Sequence, residues 1–366
     1  MTCNTTKYTF IFIVIVNLST WSCNESPILN DFENCYDSGL EHGQWHLLGL
    51  EDEKISAIAI DFTNECILYA GSGSNFSEGK VGGVFKSIDG GATWDTIVSG
   101  VTVRDIDIHP SDTDIFYVTA GTNYLTQSGI LRSVDGGRSW SWVGGIPIIP
   151  DRGPSVLEID PLNPTILYVG TSGLGSGALY KTTNAGQTWE RIGETSIIYG
   201  GVTALAIDAY NPATLYVGTD MTGAILKSTD GGSSWQRLDF PEVGIVHDLL
   251  VHPSDSDIIY AGTWRTGFYS SNDGGITWQH TNSGLQDTTS VRKIVLSQNE
   301  IFIATNDRHK GAIYKSDPQD INWLMVGDQV FDQVRTVSSV LDSNRIFVGV
   351  DGIYAISPIV NNVGNR

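Results

Sequence analysis

The stretch SIDGGATW at residues 87–94 decides the fold, because copies of this eight-residue box return along the chain. Copies with substitutions stand at residues 133–140, 182–189, 228–235, 271–278 and 316–323. The copy that ends at Trp189 has Asn184 in the Asp position, and the eroded last copy has Pro318 there. With Trp45, which has no intact box, the tryptophans stand 43 to 49 residues apart, and a period of this size indicates a repeat architecture.

Each repeat contains four short segments that are typical of β-strands. In one repeat they are residues 203–208, 214–218, 223–227 and 234–238, separated by turn residues. Four antiparallel strands per unit, repeated radially, predict the blades of a β-propeller and no helix of useful length.

The last repeat predicts how the ring closes. Residues 334–341, 345–350 and 352–357 supply three strands but no tryptophan strand, whereas the strand at Trp45 precedes the first complete repeat. We therefore predict a single all-β domain at residues 44–357, a seven-bladed propeller with four antiparallel strands per blade. The N-terminal strand would complete the last blade as a 3+1 closure, which hides sheet edges that otherwise invite aggregation.

The N-terminus is predicted to be a targeting segment. Lys7 precedes an apolar run that is too short to span a bilayer but suits a signal peptide at residues 1–23. A small residue before Cys23 is similar to a bacterial lipoprotein site, so Cys23 is a lipidation candidate, and the alternative is ordinary signal cleavage nearby. We expect an exported protein in the periplasm, at the cell surface or outside the cell, with a linker at 24–43 and a tail at 358–366.

In an exported chain Cys35 and Cys66 could form a disulfide, and the alternative is two unpaired thiols. The 366 residues carry 21 Lys and Arg against 41 Asp and Glu, a net charge of −20. This balance argues against a general nucleic-acid or anionic-membrane surface, since both need clustered positive charge. We predict a protein segment or a glycan as partner, contact with a membrane only through a lipid anchor, and neither cofactor nor metal.

The boxes themselves have a structural interpretation. Their glycines supply positive φ, the Asp and Ser side chains can bond to turn amides, and the tryptophan packs between sheets. We therefore predict structural rather than catalytic roles for Asp89, Trp94, Asp135, Trp140, Asn184, Trp189, Asp230, Trp235, Asp273 and Trp278.

The unit resembles the Asp-box (BNR) repeat, and the resemblance covers residues 44–357. This superfamily includes sialidases, xyloglucan-cleaving hydrolases, sortilin-type receptors and the photosystem II assembly factor. The phrases at 159–170 and 83–87 look most like the last three. Such xyloglucanases use two facing propellers, each with a catalytic Asp, whereas this chain has enough residues for a single propeller. Sialidases carry an Arg-Ile-Pro motif, which does not occur in this sequence. The resemblance therefore implies a binding role.

Counting predicts which side chains line the mouth of the central channel. Five innermost strands carry a polar residue 13 positions before a tyrosine, and two shorter repeats place arginines equivalently. These positions are Ser56, Arg104, Ser155, Thr203, His247, Arg292 and Arg335. Period 2 would put the residues two and four positions later on the same face. Arginine forks bind carboxylate, sulfate or phosphate, which predicts an anion pocket. The alternative is that these arginines pair with Asp105, Asp107, Asp248 or loop carboxylates.

Loops around the same mouth bring further candidates. Trp264, Arg265 and Arg308 suit stacking on sugars or gripping a peptide, and the alternative for Trp264 is loop packing. The candidate ligand-binding residues are Arg104, Asp105, His247, Asp248, Trp264, Arg265, Arg292, Arg308 and Arg335. We predict a binding or assembly module at the cell envelope. The alternatives are a glycoside hydrolase or polysaccharide lyase on the same face, or a spacer with an inert mouth.

An enzyme would need catalytic groups at this face. Hydrolysis requires two carboxylates about 5 to 10 Å apart, and a lyase could use His247 with Arg292. The carboxylates that are candidates by location only are Asp105, Asp151, Glu158, Asp248 and Asp307.

Overall fold

The computed structural model describes residues 43–74, 80–122, 128–144, 146, 153–172, 177–193, 200–221, 223–241, 244–307, 310–340 and 345–357. These residues form 26 β-strands and no helix, so the predicted all-β class is confirmed. Within them no helix is long and apolar enough to cross a membrane.

The strands follow one another along the whole described chain. In order they are β1 (His46–Ile60), β2 (Leu68–Gly73), β3 (Gly83–Ser87), β4 (Asp95–Ser99), β5 (Val101–Ile108), β6 (Phe116–Thr122), β7 (Ser128–Ser133), β8 (Ser141–Val143), β9 (Gly153–Ile159), β10 (Leu167–Ser172), β11 (Ala178–Thr182), β12 (Glu190–Ile192) and β13 (Val202–Ile207). The second half continues with β14 (Leu215–Thr219), β15 (Ile225–Ser228), β16 (Gln236–Arg237), β17 (Val246–Val251), β18 (Ile259–Thr263), β19 (Gly267–Ser271), β20 (Gln279–His280), β21 (Ser290–Ser297), β22 (Glu300–Asp307), β23 (Lys310–Ser316), β24 (Leu324–Met325), β25 (Thr336–Ser338) and β26 (Ile346–Ile356).

Five sheets have four antiparallel strands in chain order, namely β5–β8, β9–β12, β13–β16, β17–β20 and β21–β24. The prediction of four antiparallel strands per repeat is confirmed for these units. The sixth sheet has six strands in the order β25-β26-β1-β2-β3-β4.

The six-stranded sheet joins the two ends of the described chain. His46 and Leu47 of β1 pair with β26, whereas the second half of β1 pairs with β2. Just before β1, the indole Nε1 of Trp45 donates a hydrogen bond to the carbonyl of Val326 at 3.0 Å. The same ring packs edge-on against Phe331, with the centroids 5.5 Å apart. The N-terminal strand is therefore attached to C-terminal strands.

The hydrophobic core lies between neighbouring sheets. Tyr69 of β2 and Phe116 of β6, for example, share a buried cluster, and Ile55 of β1 shares another with Phe347 of β26. The first strands of successive units touch in the order β1, β5, β9, β13, β17, β21 and β25, and β25 also touches β1. A Cβ on Gly71 would overlap Val103, so glycine allows the neighbouring inner strand its close approach.

The boxes form hairpins between the third and fourth strands of their sheets. In the first box, Oδ1 of Asp89 accepts hydrogen bonds from the Thr93 amide at 2.9 Å and from the Ser87 hydroxyl at 2.8 Å. The Trp94 indole donates to the carbonyl of Gly91 at 3.0 Å. Equivalent side-chain bonds to the turn are made by Asp135, Asn184, Asp230 and Asp273. Local bonds of this kind support the structural interpretation.

Two departures stand out in the third box. Ala185 replaces the first glycine and takes a left-handed φ of 55°. The Nε1 of Trp189 is buried with no hydrogen-bond partner among the described residues, unlike the indoles of Trp140 and Trp235.

Of the candidate cysteines, only Cys66 lies within the described residues. It is disulfide-bonded, and its partner lies outside them. Pairing with Cys35 and lipidation of Cys23 therefore stay predictions, because both residues lie outside the described part of the chain.

Candidate functional site

Six of the seven predicted mouth positions lie at β-bulges. The pairing register between an inner strand and its neighbour shifts across Ser56, Arg104, Ser155, Thr203, His247 and Arg292. A bulge inserts one extra residue and re-aims side chains. The expectation that residues two positions later share the same face is therefore wrong. Val103 and Ile106 both enter the core, while Asp105 turns toward the next inner strand.

Three of the predicted mouth positions are structural. The hydroxyls of Ser56, Ser155 and Thr203 each donate a 2.6 Å hydrogen bond to a valine carbonyl on the next inner strand. These bonds join neighbouring sheets, and the hydroxyls are thereby occupied within the protein.

The other positions on β17, β21 and the start of β25 form what we call the basic cluster: His247, Arg292 and Arg335. Among the described residues, the Arg292 guanidinium makes no hydrogen bond and no ion pair. Burial, and then the charge of Arg335, lowers the pKa of Arg292. Arg335 itself has its Nη1 2.8 Å from Oδ1 of Asp351, an ion-pair contact without hydrogen-bond geometry. One guanidinium of this cluster is thus compensated and the other is not.

His247 is held neutral in this cluster. Burial, followed by the charge of Arg292, lowers the pKa of His247 to about 3. Its Nε2 atom is buried and has no hydrogen-bond partner among the described residues. The imidazole therefore has a buried nitrogen, Nε2, that makes no hydrogen bond within the described residues, and it lies near the charge of Arg292.

Arg104 stands apart from the basic cluster. Its Nη1 donates a 2.9 Å hydrogen bond to the Ser172 hydroxyl at the end of β10. The structure thus brings three of the predicted cationic positions together and leaves Arg104 at a separate place on β5.

The loop between β18 and β19 stands at the starts of the strands that carry the basic cluster. The Trp264 amide donates to the carbonyl of Ile245 at 2.9 Å, two residues before His247. The Arg265 amide donates to the Ser290 hydroxyl at 3.0 Å, two residues before Arg292. Trp264 is 45% exposed, and the guanidinium of Arg265 from the same loop lies 5.3 Å from its ring centroid.

Three further candidates are placed as follows. Asp307 accepts a hydrogen bond from the Thr288 hydroxyl at 3.0 Å. Arg308 and Asp151 lie outside the described residues, so they stay predictions.

A second group of charged residues lies on the inner strands, and we call it the inner charged cluster: Asp105, Asp107, Glu158, Asp248 and Lys293. Oδ2 of Asp105 accepts from the Leu157 amide at 2.9 Å, and Oδ2 of Asp107 accepts from the Ile159 amide at 2.9 Å. Asp248 accepts from the Ile294 amide at 2.7 Å and from Nζ of Lys293 at 3.1 Å. The alternative that mouth arginines pair with Asp105, Asp107 or Asp248 is therefore wrong, although Arg335 does pair with another carboxylate, that of Asp351.

Electrostatics ties the inner charged cluster together across four sheets. Burial, and then the charge of Asp105, raises the pKa of Asp107 to about 7. Burial followed by Asp107 raises the pKa of Glu158, and burial raises the pKa of Asp105 and Asp248. The charge of Asp248 raises the pKa of Lys293, whose side chain stays 41% exposed, so solvent still reaches the group.

Sequence reasoning missed Lys293, although a signal was available. Asp105, Asp248 and Lys293 each directly follow a mouth position, where the bulge turns the next side chain inward. No group of three or more His, Cys, Asp or Glu side chains in the described part of the chain is arranged to hold a metal ion.

Comparison with known proteins shows what this chain is similar to. The model for sortilin, neurotensin receptor 3 (Sortilin-Vps10) matches residues 177–353. A xyloglucanase of Hypocrea jecorina is 31% identical over 153 residues, 39% of this chain. The chain spans 4% and 16% of the lengths of the curated relatives that it matches.

Solved structures share the fold. YCF48 from Cyanidioschyzon merolae has a TM-score of 0.65 at 17% identity, covering 85% of this chain and 98% of that one. The chain is thus similar, in its repeats and in its fold, to propellers of the Asp-box (BNR) type. A structure of YCF48 bound to D1 peptide has a TM-score of 0.62 at 15% identity, covering 85% of this chain and 93% of that one. At such identities the likeness concerns the fold alone.

In this protein the basic cluster has the chemistry of an anion site. An uncompensated guanidinium offers five N–H donors in a planar fork that matches carboxylate, sulfate or phosphate. The inner charged cluster is instead internally satisfied by backbone amides and Lys293, apart from Glu158. The two clusters therefore have different capacities, the first for a ligand and the second for holding inner strands together.

Proposed function

We propose that the protein is an exported binding or assembly module of the cell envelope that holds an anionic group of a protein segment or a glycan on its basic cluster. The proposal depends mainly on Arg292. Its guanidinium is partly buried, has no partner among the described residues, and lies near Arg335 and the neutral His247. A free cation enclosed by protein is costly unless a ligand compensates it, which favours a carboxylate or sulfate there.

The proposal includes a closed ring of seven blades. The cyclic contacts of the inner strands support it, because β25 touches β1 as β1 touches β5. The pairing of β1 with β26 supports the 3+1 closure. The inner charged cluster supports it as well, since side chains of β5, β9, β17 and β21 interact electrostatically, as they would across a central channel.

The net charge of −20 limits the kind of ligand. A long polyanion would be repelled by the surface as a whole, while a single anionic group would feel mainly the local guanidinium within the screening length of about 8 Å at physiological salt. The proposed partner therefore presents isolated acidic groups. The peptide named in the YCF48 structure supports a protein segment, and the xyloglucanase relative supports a glycan.

The test is a panel of glycans, polysaccharides and acidic peptides, scored for binding and for product release together. We expect binding without release of products, and at least tenfold weaker binding in Arg292→Ala and Arg335→Ala, because charge-assisted hydrogen bonds are lost. Arg237→Ala is the matched control, since Arg237 is an exposed arginine on the outer strand β16. Binding that survives both cluster variants would refute the proposal.

A second candidate function is a polysaccharide lyase, and His247 favours it. His247 is neutral and its buried Nε2 has no partner among the described residues, so in a lyase this atom, once substrate reached it, would take the proton from the carbon next to a uronate carboxylate held by Arg292. The lowered pKa makes it a weak base, so the chemistry would depend on Arg292 acidifying that carbon. The freed electron pair forms a carbon–carbon double bond, the glycosidic C–O bond breaks, the leaving oxygen takes up a proton from water, and the imidazolium of His247 returns its proton to the solvent. Unsaturated sugars that appear with the parent protein, but not with His247→Gln, would establish this function over the first.

A further inference from the structure

The loop of Trp264 and Arg265 is held in place beside the basic cluster rather than packed into the core. Arg265 takes a left-handed φ of 68°, which side-chain-bearing residues adopt at a cost. The backbone bonds of both residues to the starts of β17 and β21 maintain this conformation. As a result, the indole of Trp264 remains 45% exposed beside the strands that carry His247 and Arg292.

The loop adds unused hydrogen-bond donors to an open aromatic face. The guanidinium of Arg265 lies 5.3 Å from the centroid of the Trp264 ring and makes no hydrogen bond or ion pair among the described residues. Arg292 and Nε2 of His247 are also without partners there. The Arg265 guanidinium therefore lies at the Trp264 ring, and the loop that carries both residues is bonded to the starts of the strands that bear His247 and Arg292.

The backbone of the same loop is, by contrast, already bonded. The amides of Trp264 and Arg265 have acceptors on Ile245 and Ser290. Recognition of an extended peptide by strand addition needs unpaired backbone groups at an edge. The available groups here are side-chain donors and a ring face, which match hydroxyls, a carboxylate and the C–H face of a sugar.

We infer that Trp264, Arg265 and the basic cluster form one binding site for an acidic sugar residue, a uronate within an otherwise neutral glycan. The sugar ring stacks on Trp264, its carboxylate binds Arg292, and its hydroxyls accept hydrogen bonds from Arg265. The cluster has one unpaired guanidinium, that of Arg292, which can bind one carboxylate. A ligand with many carboxylates would be repelled by a protein of net charge −20, so we infer a glycan with isolated acidic residues. This inference rests on the proposed function and specifies the ligand of the same site.

The test is calorimetric titration of the purified protein with three probes. They are a xylo-oligosaccharide bearing one glucuronate, its carboxyl-reduced neutral derivative, and an acidic peptide of equal charge. We expect the acidic sugar to bind best, and carboxyl reduction to weaken it at least tenfold. Trp264→Ala should weaken it about tenfold, by loss of a stacking face, and Trp264→Phe less. Tyr210→Ala is the control, because Tyr210 is 47% exposed on the loop at the other end of β13.

The outcomes separate this inference from the function on which it rests. Weaker sugar binding in Trp264→Ala and Arg292→Ala, with Tyr210→Ala unchanged, supports both. If Arg292→Ala weakens binding while Trp264→Ala leaves it intact, or if the peptide binds and the sugar does not, the acidic-sugar site is overturned and the anion-binding function stands. If Arg292→Ala leaves the binding of every probe unchanged, the proposed function fails as well.

Discussion

Replacement of Lys293 by methionine tests whether the inner charged cluster supports the fold. Nζ of Lys293 lies 3.1 Å from Asp248, and its charge also acts on Asp105 and Glu158. Lys293→Met keeps most of the apolar stem and removes the positive charge. Four inward-facing carboxylates would then face one another with backbone amides as their main compensation.

The magnitude follows from the distance and the exposure. Unit charges 3.1 Å apart attract by about 5 kcal/mol at an effective dielectric constant of about 20 and by about 1 kcal/mol in bulk water. Because the Lys293 side chain is 41% exposed, screening favours the lower part of this range. We expect Lys293→Met to lower the free energy of unfolding by about 2 kcal/mol, or the Tm by about 4 °C for a domain of this size.

The loss of stability in Lys293→Met should depend on pH. The pKa of Asp107 is about 7 in the fold, above its ordinary value of about 3.9, so the native state binds more protons between these values. The contribution of Asp107 to stability is therefore fully present below pH of about 4 and is lost as the pH rises through about 7. Removing Lys293 raises the carboxyl pKa values further, so the loss should be larger at pH 8 than at pH 4.5.

The assay is thermal and urea unfolding at both pH values, with Lys80→Met as control. Lys80 is about as exposed as Lys293, but its partner Asp52, 3.7 Å away, is 80% exposed whereas Asp248 is 9% exposed, so a much smaller change is expected there. A double-mutant cycle with Asp248→Asn should show coupling between the two positions. Equal losses at both pH values, or a variant as stable as Lys80→Met, would refute the reasoning.

Three further predictions concern the strands and boxes. Trp45→Ala should lower the free energy of unfolding by about 3 to 5 kcal/mol and expose the N-terminal strand to proteases, since Trp45 is buried against Phe331; unchanged proteolysis would contradict it. Thr203→Val should cost about 1 kcal/mol by leaving a carbonyl unpaired, measured by urea unfolding against Thr203→Ser. Asp230→Ala should lower the Tm, whereas Asp230→Asn should be tolerated as Asn184 is; equal losses would contradict this.

The pH dependence of the boxes has the opposite sign to that of the inner carboxylates. Hydrogen bonds from Ser234 and Ser228 lower the pKa of Asp230 to about 2. The stabilising effect of such a carboxylate is present above its unfolded pKa and is lost as the pH falls from about 4 toward 2. Acid unfolding should therefore begin in this window, and Asp230→Asn should reduce its pH dependence in thermal scans.

The sequence by itself determined the repeat, the strand count of each unit and the place of the boxes. These features are readable because their bonds are local: Asp273 bonds to the amide of Thr277, only four residues away. Counting from the tyrosines also found the positions that become bulges, because the same backbone geometry recurs in each inner strand. Such regularities need no knowledge of how the sheets are arranged.

Only the tertiary structure decided which charges are compensated. Asp105 bonds to an amide 52 residues away, and Lys293 reaches Asp248 across 45 residues, so both partners depend on how neighbouring sheets meet. The bulges turn Asp105 and Lys293 inward immediately after Arg104 and Arg292, which strict period-2 alternation does not predict. Arg292 is a ligand candidate because packing of the sheets gave the nearby carboxylates other partners and left its guanidinium with none among the described residues.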